Sequence, residues 1–187
     1  MSRREDYSLR PLAEEDLERV LAWRNSERIR AGMYTDHVIS PEEHRAWFER
    51  VRGEKRPPVM VFEHRGNPIG IVSISNRDDR NGRSYWGFYI GEAAAPRGSG
   101  TAMGFFGLEY IFETLNVRKL IGEAFSFNEA SIRFHKKLGF SEEGRFAKHV
   151  LKKGLYEDVV SFALFREDWL RRKKDLEEAC FGRGEAL

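Results

Sequence analysis

The segment Trp86-Gly-Phe-Tyr-Ile-Gly-Glu-Ala-Ala-Ala-Pro-Arg-Gly-Ser-Gly-Thr-Ala102 decides the fold of this chain. It joins a strand to a helix whose apolar residues, among them Met103 and Phe106, recur at helical spacing. Glycines at the start of a helix let backbone N–H groups approach an anion, and the helix dipole adds positive potential. We therefore predict a pyrophosphate cradle at Arg97, Gly98, Ser99, Gly100, Thr101 and Ala102.

Taken alone, this loop also fits an ordinary turn, because short glycine motifs occur in many contexts. No Gly-Lys-Ser/Thr sequence ends it, as a P-loop requires, and the third glycine of a dinucleotide-binding fingerprint is missing. ATP and NAD are therefore disfavoured as ligands.

The elements on both sides of this segment predict the fold class. Period-two patterns and turn residues indicate strands, whereas the capping box Ser40-Pro-Glu-Glu43 and the helical spacing of apolar residues indicate helices. We predict strands at residues 7–12, 59–64, 69–75, 84–90, 119–125, 140–151 and 156–165, and helices at 13–24, 41–52, 101–115, 128–138 and 166 to about 180. The result is an α+β fold, a mixed and mostly antiparallel sheet of about seven strands with flanking helices, in a single domain over residues 1–187.

Composition limits the classes of function. The 187 residues are 41% hydrophobic and 33% charged, and 32 basic residues are interspersed with 30 acidic ones, so we expect no nucleic-acid partner. No run approaches the ~20 apolar residues of a membrane span, and no apolar signal follows Met1, so we expect a cytoplasmic chain without membrane contact. Cys180 is the only cysteine and the five histidines lack ligand spacing, so we expect no metal.

The order of these elements, followed by Asn128-Glu-Ala-Ser131 and Phe134-His-Lys-Lys-Leu-Gly-Phe140, resembles the GCN5-related N-acetyltransferase (GNAT) superfamily from Leu9 to Phe165. The resemblance implies that the loop at Arg97 to Ala102 binds the pyrophosphate of acetyl-coenzyme A. It further implies that Tyr89, Ile90 and Gly91 lie on the strand that pairs with the pantetheine arm. Asn128 would reach this cosubstrate from across the gap, so the chain is expected to be an acetyl-coenzyme A-dependent N-acetyltransferase.

The helix after Asn128 departs from the family pattern. Members commonly carry a tyrosine in a Phe-Tyr-Glu-Lys segment, where this chain has His135. His135 would protonate the leaving thiolate if its pKa lies near neutrality; the alternative donor is water. Lys136, with its basic neighbours Arg133 and Lys137, would meet the 3′-phosphate of the coenzyme, although a solvated basic face explains them equally well.

The amino-terminal half most resembles the bacterial UDP-4-amino-4,6-dideoxy-N-acetyl-β-L-altrosamine N-acetyltransferases of pseudaminic acid biosynthesis. The resemblance implies that the resulting sugar is placed on flagellin or on a surface polysaccharide. The matching pieces include Trp23-Arg-Asn25, Met33-Tyr34 and Glu142-Glu-Gly-Arg145. The resemblance implies direct attack by the 4-amino group of a nucleotide-linked sugar. It places five residues around that sugar: Arg24, His44, Ser75, Asn76 and Tyr89.

Each of these assignments has a structural alternative. Arg24 also fits a residue that complements a helix dipole, and His44 an exposed helical histidine. Tyr89 also fits strand packing, and Ser75 with Asn76 the hairpin alone.

The catalytic set that we predict is His135, Glu123 and Ser75. Glu123 lies mid-strand between apolar residues, where a buried carboxylate with a raised pKa would act as general base. A glutamate that faces solvent is an equally good interpretation of this position.

Two other functions remain open. The same cofactor half would serve an acetyltransferase of polyamines or of peptide amino termini, or a non-catalytic module that senses acetyl-coenzyme A. The predicted acceptor residues are mostly basic or neutral, which favours an anionic acceptor over a polyamine. We expect a monomer or a homodimer.

Overall fold

The computed structural model describes residues 3–54 and 58–182, which form seven strands and six α-helices. The strands are β1 Tyr7–Pro11, β2 Val59–His64, β3 Asn67–Asp78, β4 Arg83–Ile90, β5 Lys119–Phe125, β6 Ser141–Lys152 and β7 Leu155–Phe165. The helices are α1 Leu17–Asn25, α2 Glu27–Arg30, α3 Pro41–Val51, α4 Ser99–Glu109, α5 Glu129–Leu138 and α6 Arg166–Phe181. The predicted domain also includes residues 1–2, 55–57 and 183–187, which lie outside the described residues.

The seven strands of the described residues form one sheet in the order β1-β2-β3-β4-β5-β7-β6. All neighbouring strands are antiparallel except β4 and β5, which are parallel. This confirms the predicted α+β fold with its mixed, mostly antiparallel sheet.

The pairing between β4 and β5 is short. Only Arg83 to Tyr85 pair with Lys119 to Ile121. Beyond this point β4 still pairs with β3, and β5 still pairs with β7. The sheet therefore opens into a gap between residues 86–90 of β4 and residues 122–125 of β5, which we call the fork.

Helices cover both faces of the sheet. The larger core joins one face to α4, α5 and α6; it includes the fully buried side chains of Val72, Phe105 and Phe162. We call this the α4 face. The opposite face packs Val61 and Ile71 against Trp23 of α1 and is called the α1 face. Since successive strand residues alternate between faces, Trp86 belongs to the α4 face and Tyr89 to the α1 face.

Local signals explain most helix boundaries. The Ser40 hydroxyl accepts from the Glu43 N–H at 3.1 Å at the start of α3, as the capping box predicts. Asn128 caps α5, because its side-chain oxygen accepts from the Ser131 N–H at 3.1 Å. Gly139, with a φ of 98°, ends that helix in the left-handed conformation that glycine adopts without strain.

Two predicted helices differ from the observed ones. The one at residues 13–24 begins as a 3₁₀ turn, Glu14–Asp16, because Asp16 is held by two bonds from Arg10 and by the Ala13 N–H. The one at residues 101–115 begins earlier, at Ser99, and ends as a π-helical turn, Tyr110–Thr114. The short helix α2 had not been predicted.

Candidate active site

The β4 side of the fork presents backbone groups that no neighbouring strand pairs beyond Tyr85. The Gly82 C=O accepts from the Lys119 N–H at 3.0 Å across the β4–β5 junction. Every second residue of a strand turns its polar groups to the same side, so Trp86, Phe88 and Ile90 direct theirs into the fork. An extended ligand with amide groups can add to such an edge as a further strand does.

This geometry separates the three residues predicted on this strand. Ile90 faces the fork, as pairing with an amide-containing arm requires. Tyr89 instead pairs with Ile71 of β3, and the Gly91 N–H donates to the Ile69 C=O at 2.9 Å. The backbone polar groups of Tyr89 and Gly91 therefore point towards β3 and not into the fork. These two residues flank Ile90 but do not offer backbone groups to a ligand in the fork.

Arg28 of α2 is a site residue that the sequence reasoning missed. Its guanidinium donates to the Ile90 C=O at 3.0 Å and to the Gly91 C=O at 2.7 Å. These bonds attach α2 to the end of β4. No sequence pattern marks the contact, since α2 has only four residues and the partners are backbone atoms.

The predicted pyrophosphate loop forms the amino terminus of α4. Gly98, with φ 93° and ψ −12°, precedes the helix, and its C=O accepts from the Thr101 and Ala102 N–H groups. Within the described residues the Gly98 and Gly100 N–H groups have no acceptor. A side chain at either glycine would meet open space, so an anion can reach these donors. The residues present fit a pyrophosphate group.

The side chains of the other loop residues differ in their exposure and in their hydrogen-bond partners. The Arg97 side chain is exposed at the rim. The Ser99 hydroxyl points inward instead, 3.3 Å from the Tyr7 hydroxyl. Thr101 Oγ1 accepts from Lys137 Nζ at 2.9 Å. The loop therefore offers a predicted anion its backbone N–H groups and the nearby ammonium group of Lys137.

The basic residue of α5 that contacts the loop is not the predicted one. Lys136 lies 3.7 Å from a carboxylate oxygen of Glu142, and Arg133 lies 2.8 Å from Glu129. Lys137 is the lysine that contacts the loop, through Thr101. Lys137 rather than Lys136 therefore lies beside the predicted anion-binding loop, because position 137 is on the side of α5 that faces α4.

His135 does not meet the condition set for a proton donor. It is 1% exposed, and the rings of Phe162, Phe140 and Trp86 lie around it at centroid distances of 4.9, 5.1 and 5.9 Å. Burial lowers its pKa to about 4, against a smaller opposing effect of its bond to Ser131. Its Nδ1–H donates to the Ser131 C=O at 2.9 Å. Because the imidazole is neutral at physiological pH, it cannot supply a proton as an imidazolium.

The base of the fork holds two unpaired polar atoms. His135 Nε2 and Trp86 Nε1 are buried without a hydrogen-bond partner among the described residues. Both lie against Gly122, where an added Cβ would be 2.3 Å from Nε2 and 2.9 Å from Nε1. Gly122 therefore gives the imidazole room to approach β5.

Glu123 lies on the α1 face of β5, beside the fork. Its Oε2 accepts from the Tyr34 hydroxyl at 2.6 Å, and the Tyr34 ring packs edge-on against Phe125 at 5.4 Å. Burial, and then the bond to Glu123, raise the pKa of Tyr34, so it stays protonated and remains a donor. The carboxylate is partly exposed, so it matches neither the buried nor the solvent-facing alternative. Tyr34 had been noted in a matching segment but given no role.

Arg24, His44 and Tyr89 come together on the α1 face. Arg24 Nη1 and His44 Nε2 are both buried without a partner in the described chain. Burial lowers the pKa of His44, and the charge of Arg24 lowers it further. Burial raises the pKa of Tyr89, which the same charge opposes, while burial lowers the pKa of Arg24 itself. The three side chains therefore share one electrostatic environment, and His44, stacked on Trp47, is not the exposed histidine of the alternative interpretation.

Ser75 and Asn76 lie apart from that cluster. Ser75 is exposed and in register with Tyr85, four residues from Tyr89, or about 13 Å along a strand. Asn76, with a φ of 48°, lies in the irregular stretch between Ser75 and Asp78. The five predicted acceptor residues therefore do not converge, and the left-handed conformation of Asn76 fits a structural role in the β3 bulge.

Asn128 lies across the fork from β4, just beyond β5. Besides capping α5, its amide nitrogen is 3.4 Å from the position a Cβ would take on Gly32. The residue therefore faces the loop that follows α2, on the side of the gap that the resemblance implies.

Metal clusters, membrane-spanning helices and further cavities are other features that could indicate a function. Within residues 3–54 and 58–182, no three His, Cys, Asp or Glu side chains group to hold a metal ion. No helix in these ranges is both long and apolar enough to cross a membrane. A cavity of about 420 Å³, lined by Arg118, Phe165 and α6 residues, lies at the end of β5 opposite the fork and so away from the groups described above.

Comparisons with known proteins identify relatives. The family described as Acetyltransferase (GNAT) domain matches residues 7–141. An SPbeta prophage-derived uncharacterized N-acetyltransferase of Bacillus subtilis is 30% identical over 168 residues, which cover 88% of this chain and 93% of that protein. Spermidine N(1)-acetyltransferase of Escherichia coli is 24% identical over 166 residues, 89% of each chain.

Solved structures share the fold. The spermidine N-acetyltransferase of Vibrio cholerae in complex with CoA and spermine superposes with a TM-score of 0.83 at 20% identity, covering 89% of this chain and 99% of that one. The narrower resemblance to pseudaminic acid enzymes is not shown by these comparisons, and the two enzymes just described are named for polyamine substrates. The family match over residues 7–141 nevertheless agrees with the loop and the fork, and the chain belongs to the GNAT acetyltransferase family as an acetyl-coenzyme A-dependent N-acetyltransferase.

Proposed function

We propose that the chain acetylates a primary amino group of a polyamine of the spermidine class. The observation that carries this proposal is the carboxylate of Glu123, which lies beside the fork and is oriented by the Tyr34 hydroxyl at 2.6 Å. A carboxylate attracts an ammonium group and accepts its proton, and both are needed before an amine can attack a thioester. The spermidine acetyltransferases among the relatives support the polyamine class.

The donor side of the site is formed by three features already described. Acetyl-coenzyme A supplies an activated acetyl group. The Gly98 and Gly100 N–H groups would bind its pyrophosphate, with Lys137 adding a nearby positive charge. The Phe88 C=O and the N–H groups of Phe88 and Ile90 would bind its amides, and one of these N–H groups would donate to the thioester oxygen as negative charge develops there.

Proton transfer in this proposal involves Glu123 and water. Glu123 takes the proton of the attacking amine on the α1 face. On the α4 face the histidine at the family's tyrosine position is neutral, since burial lowers the pKa of His135 to about 4. Water, the alternative to His135 in the sequence analysis, therefore protonates the departing thiolate.

A second acceptor class is favoured by one observation. Arg24 carries a half-buried guanidinium whose Nη1 has no partner in the described chain. An unpaired cation repels a polyamine and attracts an anion, and its planar fork suits a diphosphate. An amino sugar linked to a nucleoside diphosphate is therefore the second candidate.

The deciding experiment measures coenzyme A release with acetyl-coenzyme A and four acceptors in parallel. These are spermidine, spermine, a UDP-4-amino-4,6-dideoxy sugar and a peptide with a free amino terminus. Reactions are blanked for the thiol of Cys180, whose pKa burial raises to about 11. Release with the polyamines supports the proposal, release with the sugar alone supports the second candidate, and binding of acetyl-coenzyme A without release contradicts both.

A matched pair of variants tests the role of Glu123. Glu123→Gln keeps the shape of the side chain but cannot accept a proton, so kcat should fall by about 100-fold, the size of a typical general-base contribution. Glu129→Gln is the control, because Glu129 is an exposed carboxylate on α5 paired only with Arg133 in the described residues. Equal kcat values for the two variants would contradict the proposed role.

A further inference from the structure

A buried lysine at the end of β6 has no part in the site as described so far. Most of β6 is exposed, yet Lys152, its last residue, is only 5% exposed. Lysine is almost never buried unless it is paired, because removing an ammonium group from water is costly. The groups that pair with the Lys152 ammonium therefore indicate which part of the chain this lysine stabilises.

The hydrogen-bond and ion-pair partners of the Lys152 ammonium group in the described chain lie at the end of α2 and in the loop after it. Nζ donates to the Arg30 C=O at 2.9 Å and to the Met33 C=O, and it lies 2.8 Å from Asp36 Oδ1. These three acceptors match the three N–H donors of an ammonium group. The Phe125 ring lies 5.6 Å from Nζ.

The hairpin that follows strengthens the same attachment. The Lys153 N–H donates to Asp36 Oδ2 at 2.8 Å, so one carboxylate bridges the side chain of one lysine and the backbone of the next. These contacts, and the charge of Lys152, lower the pKa of Asp36, which therefore stays ionised. The β6–β7 hairpin thus holds residues 31–36, which we call the acceptor loop.

The acceptor loop carries Tyr34 to the active site. The Tyr34 hydroxyl reaches Glu123 at 2.6 Å, and its ring packs on Phe125, the same ring that faces Lys152. Lys152 and Tyr34 are therefore linked twice, through the loop backbone and through Phe125. Tyr34 is 44% exposed, so packing alone does not hold it in place.

We propose that Lys152 is a positioning residue for catalysis: by anchoring the acceptor loop it holds the Tyr34 hydroxyl on one oxygen of Glu123. The other oxygen of the carboxylate is then left for the amine of the acceptor. This inference rests on the proposed function of Glu123. In the sequence, Lys152 is only the first residue of a turn-forming Lys-Lys-Gly segment, and only the fold brings it to the acceptor loop.

The substitution Lys152→Met keeps the length and apolar stem of the side chain but removes the ammonium group. We expect kcat to fall by about 10-fold to 100-fold, as losses of outer contacts and of about 1 Å in position typically cause, with an unchanged KM for acetyl-coenzyme A. Tyr34→Phe should lower kcat to a similar extent. The double variant should be no slower than the slower single variant, because both changes break one chain of contacts.

Two further variants separate positioning from folding and charge. Lys152→Arg retains the charge and several donors and should recover part of the lost kcat. Lys153→Met removes one charge from the same hairpin, while its backbone bond to Asp36 remains, and should retain the wild-type kcat. Equal kcat values for the Met variants at positions 152 and 153 would overturn the proposal.

Hydrogen exchange supplies a readout that does not depend on turnover. Amide exchange in residues 30–37 should accelerate in Lys152→Met but not in Lys153→Met, since only the first loses the anchor. Unchanged exchange in Lys152→Met would overturn the anchoring. If the wild-type chain acetylates no amine, the proposed function fails, and the exchange result still decides whether Lys152 holds the loop.

Discussion

The substitution His135→Phe tests the finding that this histidine is a neutral core residue. Phenylalanine keeps the aromatic shape between Phe162 and Phe140 but cannot be protonated. At pH 7 it loses the bond to the Ser131 C=O, about 1 kcal/mol, and removes an unpaired buried nitrogen, a gain of similar size, so the two proteins should be about equally stable.

The difference should emerge below pH 6.5. The pKa of His135 is lowered from 6.5 to about 4, so the unfolded chain binds a proton in this window before the folded chain does. The stability is therefore complete above pH 6.5 and is lost as the pH falls through 4. At 1.36 kcal/mol per pH unit, the wild-type free energy of unfolding should drop by about 3 kcal/mol relative to the variant between pH 7 and pH 4.

Urea unfolding of both proteins at several pH values from 7 to 4 measures this difference, and effects of the other titrating groups cancel in the comparison. His149→Phe, the same change at an exposed histidine on β6, is the matched control. Stability curves for the wild type and His135→Phe that remain parallel down to pH 4 would refute the reasoning. The same variant should retain wild-type kcat at pH 7, and a large loss of kcat in a folded variant would restore His135 as the proton donor.

Three further substitutions test the fork and the loop. Gly122→Ala should lower the free energy of unfolding by about 2 kcal/mol, because the new Cβ would lie 2.3 Å from His135 Nε2; a neutral result in urea unfolding would contradict this packing. Gly98→Ala should cost about 1 kcal/mol, since φ is 93° there, and should weaken acetyl-coenzyme A binding by calorimetry; unchanged binding would argue against the backbone cradle. Lys137→Met should raise the Kd for acetyl-coenzyme A about threefold, a typical effect of an exposed ion pair, with Lys136→Met as the matched control; equal effects would remove the distinction between the two lysines.

The parts of the site that lie close together along the chain were predicted from sequence. The loop from Arg97 to Ala102, the strand before it and the helix after it form one continuous segment. Glycine content, period and capping chemistry are properties of neighbouring residues, so they can be recognised without the fold. The same holds for the Ser40 cap of α3 and for the break between the predicted strands 140–151 and 156–165, where Lys153 and Gly154 adopt left-handed conformations.

The parts that depend on distant contacts were not predicted. Arg28 binds backbone oxygens of residues about sixty positions away, and no side-chain pattern marks such a partner. Lys152 binds a loop more than a hundred residues earlier in the chain. The predicted grouping of all five acceptor residues was wrong because it also depends on distant contacts. The register of β3 with β4 places Ser75 opposite Tyr85 and away from Tyr89.

The sequence by itself determined the order of elements, the glycine loop before α4 and the family, because these follow from local periodicity and from short motifs in a fixed order. Only the tertiary structure decided the fork, which depends on the parallel pairing of residues 83–85 with residues 119–121 ending after three residues. The tertiary structure also decided the protonation state of His135, which the sequence leaves open. A pKa depends on the surroundings of the ring, and here the rings of Phe162, Phe140 and Trp86, brought together by folding, remove the water that would otherwise solvate a charged imidazole.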